Sequence, residues 1–163
     1  MALLDLLSSP ARRLIEHVPG LLPVGATAPD WHLRGHDGTP HQPVRGRYSV
    51  LVFYPMDDTP GCSRQLHEFE AHRERLDVLG ADVYGVNPAP AASHRAFVEK
   101  CGFGFPILVD PGGAVARHFR ALVPFPGFPY VIRTVYAIAR DGRVAFARRG
   151  YPPPGDIARL LAP

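Results

Sequence analysis

The organisation of the chain follows from one segment, Tyr48-Ser-Val-Leu-Val-Phe-Tyr-Pro55-Met-Asp-Asp-Thr59-Pro60-Gly61-Cys62. Its run of β-branched and aromatic residues indicates a buried strand, which stops at Pro55. A short polar turn follows, and Thr59 and Pro60 are typical of a helix N-cap and a first helical position. The segment therefore predicts a strand, a loop and the start of a helix, with Cys62 in the first helical turn.

This position favours a reactive thiol. The backbone N–H groups of a first turn have no partners within the helix, and the helix dipole is positive at that end. Both effects favour the thiolate over the thiol, and the thiolate is the nucleophilic form of cysteine. The alternative for Cys62 is a small buried residue without a chemical role, which is a common fate of a free cysteine.

The residues around Cys62 resemble a known active-site signature. Pro55, Thr59 and Cys62 have the spacing Pro-x-x-x-Thr-x-x-Cys of the peroxiredoxins, and the nine residues from Tyr54 to Cys62 are similar to the bacterioferritin-comigratory, or Q-type, branch. The resemblance implies an α/β, thioredoxin-like fold. It also implies an enzyme in which Cys62 reduces hydrogen peroxide or an organic hydroperoxide and becomes a sulfenic acid, with no bound metal, haem or flavin.

Further residues are candidates for the same site. A thiolate that attacks a peroxide drives negative charge onto the departing oxygen, so hydrogen-bond donors and positive charge are needed there. Thr59 offers a hydroxyl, and the backbones of Gly61 and Cys62 offer N–H groups. Arg133 matches by position the arginine that the family places beside its peroxidatic cysteine. The alternatives are a capping role alone for Thr59 and an ordinary surface position for Arg133.

The second cysteine, Cys101, is a candidate resolving residue. Many Q-type members carry a cysteine five residues after the first one, but that position is His67 here. Cys101 ends the next predicted helix, where the thiol-peroxidase branch also tends to place its resolving cysteine. A one-cysteine cycle with an external thiol, and a packing role for Cys101, both stay open. The implied reductant is thioredoxin, glutaredoxin or a low-molecular-weight thiol.

Composition limits the other functions. The 163 residues, of which 46% are hydrophobic, fit a single substantial core, and the net charge is only +3. The arginine pairs lack interleaved aromatic residues, so we expect no nucleic-acid binding. Apolar runs stay below the roughly 18 residues of a membrane span, and the N-terminus lacks a secretory signal pattern. Two widely spaced cysteines then predict a soluble protein in the reducing cytoplasm.

The remaining pattern alternates strands and helices. It predicts a helix over 62–79, and then, in order, strand 81–87, helix 91–101 ended by Gly102, strand 106–110, a short helix 114–119, strands 134–140 and 143–147, and a last helix 156–161. This order predicts a mixed central sheet flanked by helices. The pair Asp141-Gly142 predicts a type I′ hairpin turn.

Two segments fall outside this pattern. Residues 2–17 carry leucines at helical spacing around Pro10, so we expect an N-terminal helical extension over 1–23 before a peroxiredoxin domain over 24–163. The segment 122–130 has Phe125, Phe128 and Tyr130 among prolines and is too apolar for an ordinary linker. We expect this loop to cover the active site or to form a partner surface, such as that of a homodimer.

Other reactive side chains give weaker signals. The eight histidines lack the spacing of metal ligands and are expected on the surface. Asp57 and Asp58 would oppose a thiolate if they faced it, so we expect both to point to solvent. The absence of Cys-x-x-Cys argues against a thioredoxin-type disulfide reductase. The competing function class is a non-catalytic redox sensor or interaction module on the same fold.

Overall fold

The computed structural model describes residues 18–125 and 127–163. Within these ranges the strands are β1 (Leu33–Gly35), β2 (Pro40–His41), β3 (Tyr48–Phe53), β4 (Ala81–Asn87), β5 (Ile107–Val109), β6 (Leu122–Phe125), β7 (Phe128–Val131), β8 (Thr134–Ile138) and β9 (Val144–Arg149). The helices are α1 (Pro60–Val78), α2 (Ala91–Cys101), α3 (Ala114–His118) and α4 (Pro154–Leu161), with a 3₁₀ turn at Pro111–Gly113.

The main sheet has the strand order β2-β1-β5-β4-β3-β8-β9. Strands β3, β4 and β5 run parallel to one another, whereas β8 and β9 add antiparallel strands on one side and β1 and β2 on the other. Helix α1 connects β3 to β4 and helix α2 connects β4 to β5, as parallel neighbours require. The predicted mixed sheet flanked by helices, and with it the thioredoxin-like fold, is confirmed.

The central strand β3 is buried on both faces. Val50, Val52 and Tyr54 enter the core beneath α1 and α2, whereas Leu51 and Phe53 enter the core on the opposite face. Each such side chain contributes about 1.5–3 kcal/mol when it leaves water. The end of β3 is therefore a rigid point from which the loop to α1 begins.

Helix α1 starts as the sequence predicts. Thr59 is its N-cap and Pro60 its first residue, and a buried stripe runs along it through Cys62, Leu66 and Phe69. Helix α2 ends at Gly102, whose φ of 74° lies in the left-handed region that suits glycine after a helix. These two boundaries place one cysteine at the start of α1 and the other at the end of α2.

Two local predictions are wrong. The apolar segment 122–130 is not a loop, because β6 and β7 pair in it as an antiparallel hairpin. The turn between β8 and β9 is not type I′, which needs positive φ at both central residues. Gly142 has a φ of 81°, but Asp141 does not have positive φ, and the Gly142 N–H donates to the Ala139 carbonyl at 2.9 Å.

The predicted helix over residues 2–17 lies outside the described residues. The segment that follows it packs on the sheet. Leu21 and Leu22 contact the core on the face of β3 opposite α1 and α2, and the Leu22 N–H donates to the Tyr136 hydroxyl at 3.1 Å. Arg149 donates to the Pro19 carbonyl at 2.5 Å. The division into an extension and a domain at Val24 stays a prediction.

Among the described residues, the helices are too short or too polar to cross a membrane.

Candidate active site

Cys62 and Arg133 meet at the centre of the site. Thr134 of β8 lies opposite Phe53 of β3, so the residue before Thr134 falls beside the loop that follows β3. From there Arg133 Nη2 donates to Cys62 Sγ at 3.1 Å. Cys62 is 0% exposed. The structure thus brings together, across 71 positions of sequence, the thiol and the guanidinium that were singled out from the sequence.

A buried glutamine fixes the orientation of the guanidinium. Gln65 is 1% exposed and lies one turn after Cys62 on the same face of α1. Its Oε1 accepts from Arg133 Nη1 at 2.9 Å, and its Nε2 donates to the Gly150 carbonyl at 3.2 Å. Because Gln65 holds one terminal nitrogen of the Arg133 guanidinium, the other terminal nitrogen points at the sulfur of Cys62.

An aromatic ring covers the guanidinium from the solvent side. The Arg133 Cζ lies 4.5 Å from the centroid of the Tyr151 ring, which is a cation–π distance. Gly61 leaves room for this stack, because a Cβ there would stand 2.7 Å from the Tyr151 hydroxyl and 3.0 Å from Arg133 Nη2. Tyr151 itself is 46% exposed. Tyr151, Arg133 and Cys62 therefore form a stack that runs from solvent to sulfur.

Thr59 occupies the N-cap of α1 but does not cap it with its side chain. Its hydroxyl donates instead to the Met56 carbonyl at 3.2 Å, within the loop. The first backbone bond of the helix runs from the Ser63 N–H to the Thr59 carbonyl, at 2.8 Å. The Gly61 and Cys62 amides precede that bond, so helix geometry gives them no acceptor within α1.

The expectation that Asp57 points to solvent is wrong. Its side chain is only 6% exposed and accepts three hydrogen bonds: from Tyr54 Oη at 2.5 Å, from Ser93 Oγ at 2.6 Å and from His94 Nδ1 at 2.6 Å. Burial by itself raises the pKa of Asp57, but the bonds from His94, Ser93 and Tyr54 outweigh it and lower the pKa below the usual 3.8. Asp57 is therefore a buried carboxylate at neutral pH.

The neighbouring carboxylate behaves as expected. Asp58 is half-exposed and pairs with Lys100 at 2.7 Å. The expectation of surface histidines fails at His94, which is 0% exposed because α2 packs its first turn onto the loop of Asp57. Two adjacent aspartates of one loop thus face opposite environments, which no local sequence pattern distinguishes.

Pro55 and the hairpin meet at a cavity of about 250 Å³. The loop after β3 contributes Pro55, Met56 and Asp57 to its wall, and β7 contributes Pro129. The apolar segment therefore reaches the loop that precedes Cys62, whereas its expected role as an active-site cover or a partner surface stays a prediction. Tyr130 beside it is 45% exposed.

Cys101 lies apart from the Arg133 contact. It is the last residue of α2, is partly buried, and is a free thiol like Cys62. It lines a second cavity, of about 430 Å³, whose other walls come from the first turns of α1 and from one ion pair: Pro60, Ser63, His67, Asp58 and Lys100. The structure thus places Cys101 against the outer side of the helix that starts with Cys62.

Sequence reasoning missed several of these residues. Gln65 could have been found, because a polar residue three positions after Cys62 shares its helix face and interrupts an apolar stripe. Tyr151 gave no signal, since its position depends on where β9 ends. The partners of Asp57 on α2 also gave none.

Comparisons with known proteins identify the family of this chain. A model of the AhpC/TSA family matches residues 24–147. The chloroplastic peroxiredoxin Q of Oryza sativa subsp. japonica is 36% identical over 132 residues, which are 79% of this chain and 60% of that protein. Peroxiredoxin Bcp of Bacillus subtilis (strain 168) is 34% identical over 127 residues, 74% of this chain and 81% of that protein.

A solved structure with a related name has a similar fold. The crystal structure of peroxidoxin BcpB from Mycobacterium tuberculosis superimposes with a TM-score of 0.80 at 26% identity, over 86% of this chain and 96% of that one. The match to the Oryza sativa protein leaves about two fifths of that longer chain uncovered. Because the family model spans most of the chain and named peroxiredoxins match it in sequence and in structure, this chain belongs to the AhpC/TSA family of peroxiredoxins.

Proposed function

We propose that this protein is a thiol-dependent peroxidase with Cys62 as its peroxidatic residue. The observation that carries the proposal is the bond from Arg133 Nη2 to Cys62 Sγ, 3.1 Å long, at the start of α1. A fixed positive charge and the free amides of a first helical turn lie where negative charge exists on sulfur and develops on the departing oxygen. Membership of a family whose relatives are named peroxiredoxins supports the same activity.

The reaction needs only these groups. The Cys62 thiolate attacks one oxygen of the peroxide, the O–O bond breaks, and the other oxygen leaves as hydroxide or alkoxide. That anion takes up a proton and becomes water or an alcohol, while sulfur is oxidised to a sulfenic acid. Arg133 stabilises the anionic sulfur before the attack, and its guanidinium, the Thr59 hydroxyl and the amides of Gly61 and Cys62 stabilise the leaving oxygen.

The burial of Cys62 bears on the substrate. Because the thiol is 0% exposed, a peroxide reaches it only after a covering side chain moves. Hydrogen peroxide and small organic hydroperoxides fit this narrow access better than bulky lipid hydroperoxides.

We propose that Cys101 resolves the sulfenic acid. Its thiolate attacks the Cys62 sulfur, an S–S bond forms as the S–O bond breaks, and the hydroxyl group leaves as hydroxide, which takes up a proton to become water. The cavity that Cys101 shares with Pro60 and Ser63 supports this step, since both residues belong to the same helical turn as Cys62. Gly61 in that turn and Gly102 after α2 allow the local unwinding that would bring the thiols within disulfide distance.

The cycle then closes with an external reductant. A dithiol protein such as thioredoxin or glutaredoxin, or a low-molecular-weight thiol, would reduce the disulfide. A one-cysteine cycle is the alternative, in which such a thiol attacks the sulfenic acid directly. Two free thiols suit a reducing compartment such as the cytoplasm.

A single-turnover experiment tests the proposal. Reduced protein is mixed with one equivalent of hydrogen peroxide in a stopped-flow device, and the products are identified by mass spectrometry. We expect oxidation of Cys62 orders of magnitude faster than that of free cysteine, followed by a Cys62–Cys101 disulfide. A rate like that of free cysteine would remove the catalytic function and favour a redox sensor or interaction module. A persistent sulfenic acid, or a mixed disulfide with added small thiol, would establish the one-cysteine cycle.

A further inference from the structure

The strongest unassigned feature is the buried polar cluster around Asp57. It joins three parts of the chain: the loop before α1 through Asp57, the end of β3 through Tyr54, and the first turn of α2 through Ser93 and His94. The peroxidase steps above use none of these side chains. A buried carboxylate costs free energy unless its oxygens are paired, so three close donors around one carboxylate indicate a specific task.

Asn87 and His94 add further hydrogen bonds to this cluster. Asn87, at the end of β4, donates to the Tyr54 carbonyl at 2.9 Å, and its own carbonyl lies 3.2 Å from His94 Nε2. His94 therefore has an oxygen acceptor on each ring nitrogen, namely Asp57 Oδ2 and the Asn87 carbonyl. Such a cluster has one good arrangement and resists partial displacement.

The loop that Asp57 anchors is short and bent. Asp58 has a φ of 53°, in the left-handed region that costs a non-glycine residue free energy. Thr59 and the first turn of α1 follow at once, so the direction of the Cys62 side chain depends on how this loop is held. Outside the cluster, the loop has weaker attachments: the Thr59–Met56 bond lies within the loop itself, and the Asp58–Lys100 pair is solvent-exposed.

We propose that Asp57 is a positioning residue for peroxide attack: its bonds to Ser93 and His94 fasten the cysteine loop to α2 and so hold Cys62 against Arg133. The same bonds join the two segments that carry Cys62 and Cys101, which must move relative to each other before the thiols can bond. Asp57 therefore favours the first chemical step and opposes the second. This inference rests on the proposed peroxidase function.

The test compares two adjacent carboxylates in the full-length chain. Asp57→Asn keeps the size of the side chain but removes its charge and one acceptor, whereas Asp58→Asn makes the same chemical change at an exposed position where asparagine also tolerates positive φ. Two rates are measured for each variant. One is the oxidation of Cys62 by hydrogen peroxide, and the other is the capture of a preformed sulfenic acid by 2-mercaptoethanol, measured with Cys101→Ser added to every chain and followed by mass spectrometry.

We expect the two rates to separate. In Asp57→Asn, oxidation slows by about ten- to a hundredfold, because Cys62 is no longer held in the reactive geometry. Capture of the sulfenic acid stays equal or becomes faster, because the loop opens more readily. In Asp58→Asn, both rates stay within about twofold of the wild type. Circular dichroism verifies that each variant is folded.

A second variant keeps the test decisive if Asp57→Asn does not fold. Ser93→Ala removes one of the three bonds and leaves the carboxylate paired with His94, so it should shift both rates in the same directions but by a smaller factor. Equal oxidation rates in the wild type and in the cluster variants, or a parallel fall of oxidation and capture, would overturn the inference alone. A wild-type chain that reacts like free cysteine would instead overturn the peroxidase proposal, and this inference with it.

Discussion

Cys62 and Cys101 are the two thiols of the chain, and they lie at opposite ends of consecutive helices. Cys62 is in the first turn of α1, is fully buried, and accepts a hydrogen bond from Arg133. Cys101 is the last residue of α2, is partly exposed, and lines an open cavity beside the exposed pair of Asp58 and Lys100. The less accessible thiol is thus the one that has a partly buried cation as its partner.

This difference teaches that accessibility alone does not indicate which thiol is the nucleophile. A helix start offers unpaired N–H groups and the positive end of the dipole, whereas a helix end offers carbonyls and the negative end. The backbone therefore favours negative charge at the start of α1 and opposes it at the end of α2. An accessible thiol without such support suits a second step, in which it attacks an oxidised sulfur that has moved toward it.

Replacement of each cysteine by serine should give the largest difference between the two thiols. Cys62→Ser should reduce peroxide consumption to the background without protein, because a serine hydroxyl is scarcely ionised at neutral pH. Cys101→Ser should leave the first oxidation unchanged and stop turnover only when a dithiol protein is the sole reductant. Steady-state peroxide consumption and single-turnover oxidation measure the two steps separately. Normal turnover in Cys62→Ser would mean that Cys101 is the nucleophile.

Loss of the guanidinium should have the next largest effect. Arg133→Gln removes the charge and the bond to Cys62 Sγ, and we expect oxidation of Cys62 to slow by about 10²–10³-fold, as for loss of one donor at a developing anion. Arg140→Gln is a matched control, since Arg140 also stacks on a tyrosine, Tyr48, with its Cζ 5.0 Å from the ring centroid, but far from either thiol. If both variants slowed oxidation equally, the contact at Cys62 would not be the cause.

The part of the site that the sequence predicts is the part that local signals specify. The run of β3, Thr59 and Pro60 fix a strand end and a helix start within fifteen residues, so the position of Cys62 in a first turn follows from propensity and capping alone. Arg133 was identified through the family resemblance rather than by periodicity. Strand pairing between β3 and β8 then explains why a residue so far along the chain lies beside the thiol.

The parts that could not be predicted depend on long-range packing. Asp57 and Asp58 are identical in type and adjacent, yet one is buried because Ser93 and His94 of α2 approach it from a distance of 36 and 37 positions in sequence. Tyr151 reaches Arg133 only because β9 ends at Arg149 and turns back toward α1. A local sequence pattern predicts neither the burial of Asp57 nor the position of Tyr151, because both depend on how helices and strands pack after they have formed.

A methyl group at Gly61 tests how closely the site is packed. In Gly61→Ala the new Cβ would overlap the Tyr151 hydroxyl and Arg133 Nη2, and both are ends of side chains that can move aside. We therefore expect nearly unchanged thermal stability but oxidation of Cys62 slower by about tenfold, because Arg133 is pushed from the sulfur. Thermal unfolding and stopped-flow oxidation are the two measurements. A normal oxidation rate would show that the guanidinium regains its contact by another route.

The aromatic cover of the guanidinium should matter less. Tyr151→Leu removes a half-exposed cation–π contact, whose typical strength of about 0.5–1 kcal/mol corresponds to a two- to fivefold slower oxidation of Cys62. Tyr151→Phe keeps the ring and should restore the wild-type rate, which separates the ring from the hydroxyl. If Tyr151→Phe were as slow as Tyr151→Leu, the hydroxyl rather than the ring would support the site.

The smallest expected effect concerns the charge beside Cys101. The bond to Asp58 raises the pKa of Lys100, so its ammonium is charged at neutral pH, and it is the cation that lies next to the Cys101 thiol. Lys100→Met should leave oxidation of Cys62 unchanged, because that thiol has its own cation, Arg133. It should slow formation of the Cys62–Cys101 disulfide by about twofold at low ionic strength, since the thiolate of Cys101 loses a neighbouring positive charge, and salt should remove the difference because exposed charges are screened. Disulfide formation is followed by mass spectrometry at low and at high salt in both chains. A slower first oxidation in Lys100→Met would contradict the separation of the two thiols, because it would mean that one electrostatic environment serves both.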